Sequence, residues 1–394
     1  MGACGALMPA AGAIRRRLVL VSIDGLDQHY LTECDRLGLR IPVLRQLMRE
    51  GSWAAGVVGE APTVTWPMHT TMLTGVPPRV HGILGNRRPA REGGDYYWSK
   101  DLIRVRTLWD ACQDAGLTTA AVTWPVTVTG DIDYNLPEYF KRRRGGAMDL
   151  SSIGSRAHPA GLVQHISRDY PSFAQQWLDD RCRMLAARWM LERVKPDFLA
   201  VHLVDLDAES HECGPFSREA NAVLEYTDEL LGQLLSAMPA DAVLAVVSDH
   251  GFMLVDRTVH LKSAMGRAGR LEIVYGLAVA WDQGASEWLS RAKEEGKLGI
   301  GRAVPADELR EFAPELARST AAYEPVEGTV FGQRSQGEVL ESPQERGMHG
   351  LWPARPGYRS VFGLWGAGIR PAQLGEMRIT AIAGRMGEIL QVKL

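Results

Sequence analysis

The stretch AVLAVVSDHG, residues 242–251, determines the kind of fold that this chain adopts. It is an apolar run that ends, after one serine, on Asp249 and His250. A strand with apolar side chains on both faces belongs in a buried parallel sheet, and ligands of such sheets bind just beyond the carboxyl ends of the strands. Because aspartate and histidine are side chains that divalent metals choose, the stretch predicts a metal site at the end of a buried strand.

Two further apolar runs end in the same way. LVLVSIDG, residues 18–25, ends on Asp24, and FLAVHLVDLDAESH, residues 198–211, ends on two aspartates and His211. Between these runs, helical patterns alternate with strand patterns, which is the signature of βαβ units. The sequence therefore predicts an α/β fold with a mostly parallel central sheet, helices on both of its faces and metal ligands gathered at one edge.

The composition excludes several classes of function. The chain has 394 residues and a formal net charge of -3, which gives no sign of a surface for nucleic acid. No apolar run reaches the length of about eighteen residues that a membrane span needs. Its five cysteines are odd in number and share no CxxC spacing, which favours reduced thiols and a cytoplasmic location. Basic residues follow the apolar part of residues 1–14, the wrong order for a signal peptide, so we expect a disordered lead-in there.

The rest of the chain divides into a core and an insertion. We expect residues 15–254 and 346–394 to form the α/β core that carries the site, with residues 126–170, rich in Gly, Pro, Arg and Tyr, as a lid-like loop. Residues 255–345 contain a strand-like run, LEIVYGLAVAW, and two helical patterns. That content predicts a small inserted cap subdomain.

A second chemical feature is the segment PTVTWPMHTTMLTG, residues 62–75. Pro67 suits the first turn of a helix, where its missing N–H costs nothing, so Thr65 falls at or just before the helix N-terminus. The free N–H groups and the helix dipole favour negative charge there, and a metal ion would help the hydroxyl to ionise. The alternative is that Thr65 only caps the helix. Beside the predicted metal ligands, a nucleophile is the better interpretation.

These motifs resemble those of the type I phosphodiesterase/nucleotide pyrophosphatase family of the alkaline phosphatase superfamily. The segments that carry the resemblance are SIDG (22–25), PTVTWPMHTTMLTG (62–75), HGILGN (81–86), TLWDACQDAG (107–116), TWP (123–125), DLDAESHECGP (205–215), SDHGF (248–252) and GMHG (347–350). The likeness fades in the lid-like loop and in the insertion. It implies an alkaline-phosphatase-like fold and a metal-dependent hydrolase.

The resemblance implies two metal sites around one nucleophile. One site is formed by Asp24, Thr65, Asp249 and His250, and its partner site by Asp207, His211 and His349. Two divalent ions, expected to be zinc with manganese or iron left open, would clamp one phosphoryl group between them. One ion would lower the pKa of the Thr65 hydroxyl, and the other would activate the water that hydrolyses a phospho-threonine.

Other residues compete for these roles. Asp205 is an alternative to Asp207, but the family's spacing of four residues before the histidine favours Asp207. His69, His81 and His260 are further candidates, and for each of them a structural role is the favoured interpretation.

One position departs from the family. Eukaryotic nucleotide pyrophosphatases have an asparagine three places after the nucleophile, where it contacts a phosphate oxygen, and this chain has Met68. Since methionine cannot donate a hydrogen bond, we expect Asn86, or a backbone N–H at the Thr65 turn, to bind that oxygen. Neither the arginine that alkaline phosphatases use on monoesters nor a third, magnesium-type site is identifiable. A diester or pyrophosphate substrate is therefore favoured over a monoester.

The sequence thus predicts a metal-dependent hydrolase of phosphodiester or nucleotide pyrophosphate bonds that acts on a small phosphodiester or nucleotide through a phospho-threonine at Thr65. One alternative is a phosphonate (C–P) or phosphomonoester hydrolase of the same superfamily, such as a phosphonoacetate hydrolase. That family grips its carboxylate with lysines of the lid, whereas the lid here offers Lys141 followed by three arginines. The other alternative is a non-catalytic relative that binds a phosphate ligand. A homodimer is left open by the sequence.

Overall fold

The computed structural model describes residues 16–141, 143–144, 147–173 and 177–394. The predicted disordered lead-in, residues 1–14, lies outside the described residues. Among the helices that are described, none is long and apolar enough to cross a membrane. The described cysteines are all unpaired thiols, namely Cys34, Cys112, Cys182 and Cys213.

An eight-stranded sheet forms the centre of the molecule. In chain order its strands are β1 (Arg17–Ile23), β2 (Ser52–Ala54), β3 (Thr119–Val122), β4 (Tyr134–Leu136), β5 (Phe198–Leu203), β6 (Ala242–Val247), β7 (Phe362–Gly366) and β8 (Ala372–Leu374). Their spatial order is β8-β2-β7-β6-β1-β5-β3-β4.

Within this sheet, β7 alone runs against the other strands. It pairs antiparallel with β6 and β2, whereas the remaining neighbours pair in parallel. The register aligns Ser22 of β1 with His202 of β5 and Val247 of β6, so these three buried strands end at the same edge. That edge is where the sequence places its predicted metal ligands.

Helices cover both faces of the sheet because its central strands are apolar on both sides. Alternate residues of β1 join two separate hydrophobic cores, Val19 on one face and Leu18 on the other. The Val19 face carries α1 (Pro42–Glu50), α4 (Asp180–Trp189) and α6 (Arg218–Leu235), and the Leu18 face carries α2 (Thr65–Thr74), α3 (Leu108–Asp114) and α7 (Ala381–Leu390). One further helix, α5 (Asp205–Cys213), follows β5 at the carboxyl edge. The predicted α/β class, with a mostly parallel sheet between two layers of helices, is confirmed.

The segment 126–170 differs from the predicted loop. It contains β4, which is an edge strand of the central sheet, and the helices Leu150–Gly154 and Leu162–Asp169. It also contributes the strand Ala147–Asp149 to a small separate sheet. These elements are three to eight residues long, which is too short for hydrophobic periodicity to reveal. The role of the segment as a lid stays a prediction.

The inserted region, residues 255–345, contains an antiparallel sheet of its own. Its strands are Leu271–Val274, Leu277–Ala280, Ala321–Pro325 and Ile300–Ala303 in spatial order, and the helices Gln283–Glu295 and Ala306–Phe312 accompany them. The run LEIVYGLAVAW is a hairpin rather than one strand. Tyr275 and Gly276 form its turn with φ angles of 52° and 74°, the positive values that a two-residue type I′ turn requires.

One strand crosses the predicted boundary between core and cap. Met253–Val259 pairs with Gly328–Phe331 of the insertion and with Gly347–Met348, which leads back to the core. The insertion is therefore joined to the core by a shared strand, and the boundaries at residues 255 and 345 stay a prediction.

Candidate active site

The predicted metal ligands lie together at the carboxyl edge of the sheet. The ligand atoms of Asp24, Asp249 and His250 lie within 4.8 Å of one another, and so do those of Asp207, His250 and His349. His250 is common to both groups. Asp24 follows β1, the pair Asp249–His250 follows β6, and His349 follows the strand Gly347–Met348. Four separate segments of the chain thus meet at one point.

Helix α5 explains the spacing of Asp207 and His211. The two residues are one turn apart on the same face of the helix, and the His211 Nε2 atom lies 3.5 Å from Asp207 Oδ1. Asp207 Oδ1 also lies 3.7 Å from His349 Nε2. The structure therefore places His211 beside the second group of ligands.

Backbone carbonyl groups fix the orientation of all three histidines. In each ring, Nδ1 contacts a backbone carbonyl oxygen. The His211 ring contacts Gly347 at 3.0 Å and the His250 ring contacts Gly251 at 3.2 Å. The His349 ring contacts Thr63 at 3.3 Å. A carbonyl oxygen only accepts, so in each ring Nδ1 is the donor and Nε2 of the neutral ring keeps a free lone pair. This is the arrangement in which protein histidines bind metal.

The carboxylates are held in a similar way. Asp249 Oδ1 accepts a hydrogen bond from the backbone N–H of Gly25 at 3.2 Å, and Asp24 Oδ2 lies 2.9 Å from His202 Nε2. Their other oxygens are buried without any hydrogen-bond partner in the described structure. The unpartnered atoms at the site are Asp24 Oδ1, Asp207 Oδ1, Asp249 Oδ2 and His250 Nε2.

Buried acceptors without donors are unfavourable, by about 1–3 kcal/mol each and more for charged groups. Divalent cations would satisfy these four atoms at once, and carboxylate oxygens with imidazole nitrogens are a donor set that suits zinc, manganese or iron. The residues present therefore fit the two metal ions that the sequence predicts.

The pKa values of the site show what a cation would change. Burial, reinforced by neighbouring carboxylates, raises the pKa of Asp24 and Asp249 well above the usual range. Burial lowers the pKa of His250 well below its usual value, and that of His349 to about 4. At neutral pH these shifts favour protonated carboxyl groups and neutral imidazoles, and a bound cation would ionise the carboxyl groups.

Thr65 is the first residue of α2, and the preceding Val64 occupies the N-cap position without any side-chain cap. Pro67 therefore lies in the first turn as predicted, and the alternative that Thr65 serves as a helix cap does not hold. Thr65 lines a cavity of about 300 Å³, called here the catalytic cavity. The lining includes the predicted ligands Asp24, Asp207, His211 and His349.

Asn86 also lines the catalytic cavity, next to Thr65. Its side-chain oxygen accepts a hydrogen bond from the backbone N–H of Trp66 at 3.0 Å, so its NH₂ group is the end that remains to donate to a phosphate oxygen. Met68 is fully buried in the hydrophobic core instead, where its sulfur contacts the backbone N–H of Glu60. The position three places after Thr65 therefore faces the core here.

The competing residues have other partners. Asp205 Oδ2 accepts a hydrogen bond from the backbone N–H of Asp180, and its Oδ1 lies 3.6 Å from Nη1 of Arg183. His81 contacts Thr71, and burial lowers its pKa to about 3.

Two further histidines also lie outside the ligand set. His69 contacts the Thr65 carbonyl oxygen and the Ser22 hydroxyl, both at 2.8 Å, so it holds the backbone of Thr65. His260 pairs with Glu341, away from the ligands.

Two residues of the site have no role in the sequence prediction. His202 of β5 lies between two carboxylates, with Nε2 at 2.9 Å from Asp24 and Nδ1 at 2.8 Å from Glu138. A histidine inside an otherwise apolar strand, FLAVHLV, was the available signal, since a buried polar side chain requires a partner. Glu138 follows a proline in the irregular segment and carries no such signal.

Aromatic and basic groups complete the catalytic cavity. Trp66 and Tyr96 line it with their ring centroids 4.9 Å apart, and Tyr96 stacks on Trp98 at 4.8 Å. Of the basic run in the lid-like segment, Arg143 lines the cavity, whereas Arg142 lies outside the described residues. The site thus combines metal ligands, a hydroxyl, an amide donor, aromatic faces and one guanidinium group.

A known protein family matches most of this chain. Residues 18–336 match the sequence profile of a family described as type I phosphodiesterase/nucleotide pyrophosphatase. Human ectonucleotide pyrophosphatase/phosphodiesterase family member 1 is 22% identical over 381 residues, covering 89% of this chain and 37% of that protein. Venom phosphodiesterase 2 of Crotalus adamanteus is 26% identical over 270 residues, covering 63% of this chain and 28% of that protein. The chain therefore spans less than half the length of these curated relatives.

Solved structures show the same fold. Human ectonucleotide pyrophosphatase/phosphodiesterase 5 aligns with a TM-score of 0.63 at 19% identity, covering 96% of both chains. The murine protein of the same name aligns equally well at 18% identity, and one of its structures is an inactive threonine-to-alanine variant in complex with AMP.

Proposed function

The chain belongs to the type I phosphodiesterase/nucleotide pyrophosphatase family, and we propose that it is a metal-dependent hydrolase of phosphodiester or nucleotide pyrophosphate bonds. One observation carries the proposal. Carboxylate oxygens without hydrogen-bond partners and oriented histidine Nε2 atoms lie together beside Thr65, whose hydroxyl group does not cap the helix. A structural role explains neither the orphaned acceptors nor the position of Thr65.

The ligand set supports two divalent ions, for which we propose zinc. Asp24, Thr65, Asp249 and His250 would hold one ion, and Asp207, His211 and His349 the other. When bound, such ions supply Lewis acidity that lowers the pKa of a hydroxyl or water and neutralises the charge of a phosphoryl group.

Thr65 performs the covalent step in this proposal. Its Oγ1 gives its proton to solvent and attacks phosphorus, and the bond from phosphorus to the leaving oxygen breaks as the phospho-threonine forms, after which the leaving oxygen takes up a proton from solvent. A water molecule then gives up a proton and attacks phosphorus, and the bond from phosphorus to the Thr65 oxygen breaks as that oxygen takes up a proton. Each displacement inverts phosphorus, so the overall reaction retains its configuration. His69 holds the Thr65 backbone throughout through its 2.8 Å contact to the carbonyl oxygen.

The catalytic cavity suggests how the substrate is held. The NH₂ group of Asn86 donates to one phosphate oxygen, and the exposed Arg143 attracts the anion. Tyr96, which is half-buried and packs on the buried Trp66, offers aromatic surface to a base or other flat group. The AMP complex of the murine relative supports a nucleoside monophosphate as the part of the substrate that this cavity binds.

Replacement of Thr65 tests the proposal. Thr65→Ala should retain nearly all bound metal, because the other six ligand side chains remain, and should lose several orders of magnitude in turnover. Thr65→Ser keeps the hydroxyl and should keep part of the activity. The measurements are metal content by elemental analysis and hydrolysis of bis-p-nitrophenyl phosphate. A folded, metal-loaded Thr65→Ala protein with near-normal turnover would rule the mechanism out.

The same assay separates the alternatives when p-nitrophenyl phosphate and phosphonoacetate are run beside the diester. We expect the diester to be hydrolysed fastest. Preference for phosphonoacetate would identify the chain as a phosphonate hydrolase, and metal-loaded protein inert toward all three would favour a non-catalytic relative.

A further inference from the structure

A second cavity, of about 540 Å³, adjoins the catalytic cavity. The two cavities share the side chains of Glu345 and His349 in their walls. Its other walls come from the inserted region, from the strand Gly328–Phe331 and the hairpin turn at Tyr275 and Gly276. We call it the cap cavity.

The hairpin turn rests directly on the loop that carries a metal ligand. A Cβ atom added to Gly276 would lie 3.2 Å from the carbonyl oxygen of Gly350 and 3.3 Å from Leu351 Cα. Gly350 follows His349 in the chain. The cap cavity is therefore bounded by the insertion on one side and by the loop of His349 on the other.

The proposed mechanism predicts which part of the substrate faces the cap cavity. In an in-line displacement the leaving oxygen departs opposite the attacking oxygen, and a two-metal site stabilises both. In the proposed mechanism Thr65 shares an ion with Asp24 and Asp249, so the leaving oxygen would face the group that contains Asp207 and His349. The catalytic cavity meets the cap cavity at His349, so the rest of the leaving group extends there.

The walls of the cap cavity define the chemistry of that group. The apolar side chains that line it are Ile273, Tyr275, Pro325, Val330, Phe331, Pro343, Met348 and Leu351, and its uncharged polar side chains are Thr258, Gln333 and Gln344. Its charged groups already have partners. Glu341 pairs with His260 at 2.9 Å and with Arg334 at 3.1 Å, and Glu345 lies 2.9 Å from His211 Nδ1.

Arg334 is the one arginine or lysine among the described lining residues, and it is thus paired with a carboxylate. Such a surface does not favour the binding of a polyanion, whereas its apolar area favours the binding of an apolar group.

We propose that the cap cavity binds the alcohol half of the substrate, and that this alcohol is uncharged and apolar, with an alkyl or aryl body. The inference rests on the proposed function and narrows it from diesters and pyrophosphates in general to diesters of apolar alcohols. A pyrophosphate leaving group would enter beside Glu345 and Glu341, where like charges repel it.

A series of substrates with one variable tests the proposal. The methyl, butyl, hexyl and octyl esters of one nucleoside 5′-monophosphate have leaving alcohols of nearly equal pKa and differ in apolar length. Each buried CH₂ should raise kcat/KM by up to roughly fourfold, so we expect the octyl ester to exceed the methyl ester at least tenfold. An octyl chain that ends in a carboxylate should lose most of that gain.

The outcomes separate this proposal from the proposed function. Equal kcat/KM along the series would overturn the assignment of the cap cavity while leaving a diesterase. If metal-loaded protein hydrolyses none of the esters and no other diester, the proposed function itself fails.

A matched pair of variants locates the effect. Val330 lines the cap cavity, whereas Val326, two residues before the same strand, is 39% exposed and does not line it. Val330→Trp should fill the cavity and flatten the dependence on chain length, and Val326→Trp should leave it unchanged. Metal content and melting temperature are measured on both proteins. A folded, metal-loaded Val330→Trp protein with the full dependence would contradict the proposal, and should that variant not fold, the ester series on the unaltered protein still decides.

Discussion

At the scale of single residues, the site depends on side chains that orient the ligands. His202 is the clearest case, because it is completely buried and contacts both Asp24 and Glu138. Such outer contacts fix which oxygen of a carboxylate faces a metal, and their loss lowers metal affinity by about 10–100-fold.

His202→Leu tests this role directly. The substitution leaves Asp24 Oδ2 and the Glu138 carboxylate buried without their partner, so zinc affinity should fall by about 10–100-fold. The measurement is a competition titration against a chromophoric chelator. His81→Gln is the matched control, since His81 is equally buried but contacts Thr71 instead of a ligand. Equal zinc affinity in His202→Leu and unaltered protein would exclude the positioning role.

A second prediction at this scale concerns protons. The pKa values of Asp24 and Asp249 are raised by burial, so both groups tend to hold protons before metal binds, whereas His250 and His349 have lowered pKa values and are neutral at pH 7. Metal binding should therefore release protons from the carboxyl groups, and zinc affinity should rise with pH as long as these groups hold protons in the metal-free protein. Calorimetric titrations in two buffers of different ionisation enthalpy give the number released. A value of zero would show that the carboxyl groups are already ionised.

At the scale of helices and strands, α1 is tied to α6 by one buried carboxylate. The carboxylate of Asp228 in α6 accepts two hydrogen bonds, from the backbone N–H of Val43 at 2.9 Å and from that of Leu44 at 2.8 Å. These N–H groups lie in the first turn of α1, where a helix has no internal acceptor for them. A side chain of one helix thus completes the hydrogen bonding of another.

Replacing Asp228 should reveal the strength of this tie. Asp228→Ala leaves two N–H groups without their acceptor and should lower the free energy of unfolding by about 2 kcal/mol, measured by urea denaturation of the metal-loaded protein. Asp228→Asn keeps one acceptor oxygen and should have a smaller effect. Asp241→Ala, at an exposed residue 3.7 Å from Arg17, is the control and should change stability by less than about 0.5 kcal/mol.

How far these elements follow from the sequence depends on their length and burial. β1, β5 and β6 are largely apolar runs, and the i, i+4 spacing of Asp207 and His211 places both residues on one face of α5, so the ligand positions could be predicted. β4 has three residues, and its pattern is lost between glycines and prolines. The His202–Glu138 contact joins residues 64 apart in the chain, and no local pattern encodes such a pairing.

At the scale of the whole molecule, the proposed metal site joins distant parts of the chain. Its proposed ligands lie just after β1, on α5, just after β6 and in the loop before β7. An ion that binds only the folded state stabilises it by about 2.7 kcal/mol when its free concentration is a hundred times its Kd. The site should therefore contribute to stability as well as to catalysis.

Dialysis against a strong chelator should abolish diesterase activity and lower the melting temperature by several degrees, and zinc or manganese should restore both. The physical reason is that removal of the ions leaves the buried atoms Asp24 Oδ1 and Asp249 Oδ2 unpartnered. Scanning calorimetry and the diester assay on the same samples give the two readouts. Activity that survives complete metal removal would refute the metal mechanism.

The position of β7 has a consequence for the order in which the protein is built during translation. β7 lies between β2 and β6, and His349 precedes it by only a short stretch of chain, whereas the other ligands have all been synthesised by residue 250. While the inserted region is emerging from the ribosome, the nascent chain already holds β1, β5 and β6 but exposes one edge of β6 and lacks one ligand. The arrival of about twenty residues then seals that edge, attaches β2 and supplies His349. The sheet and the ligand set are thus completed together, so an incomplete chain does not carry a finished site.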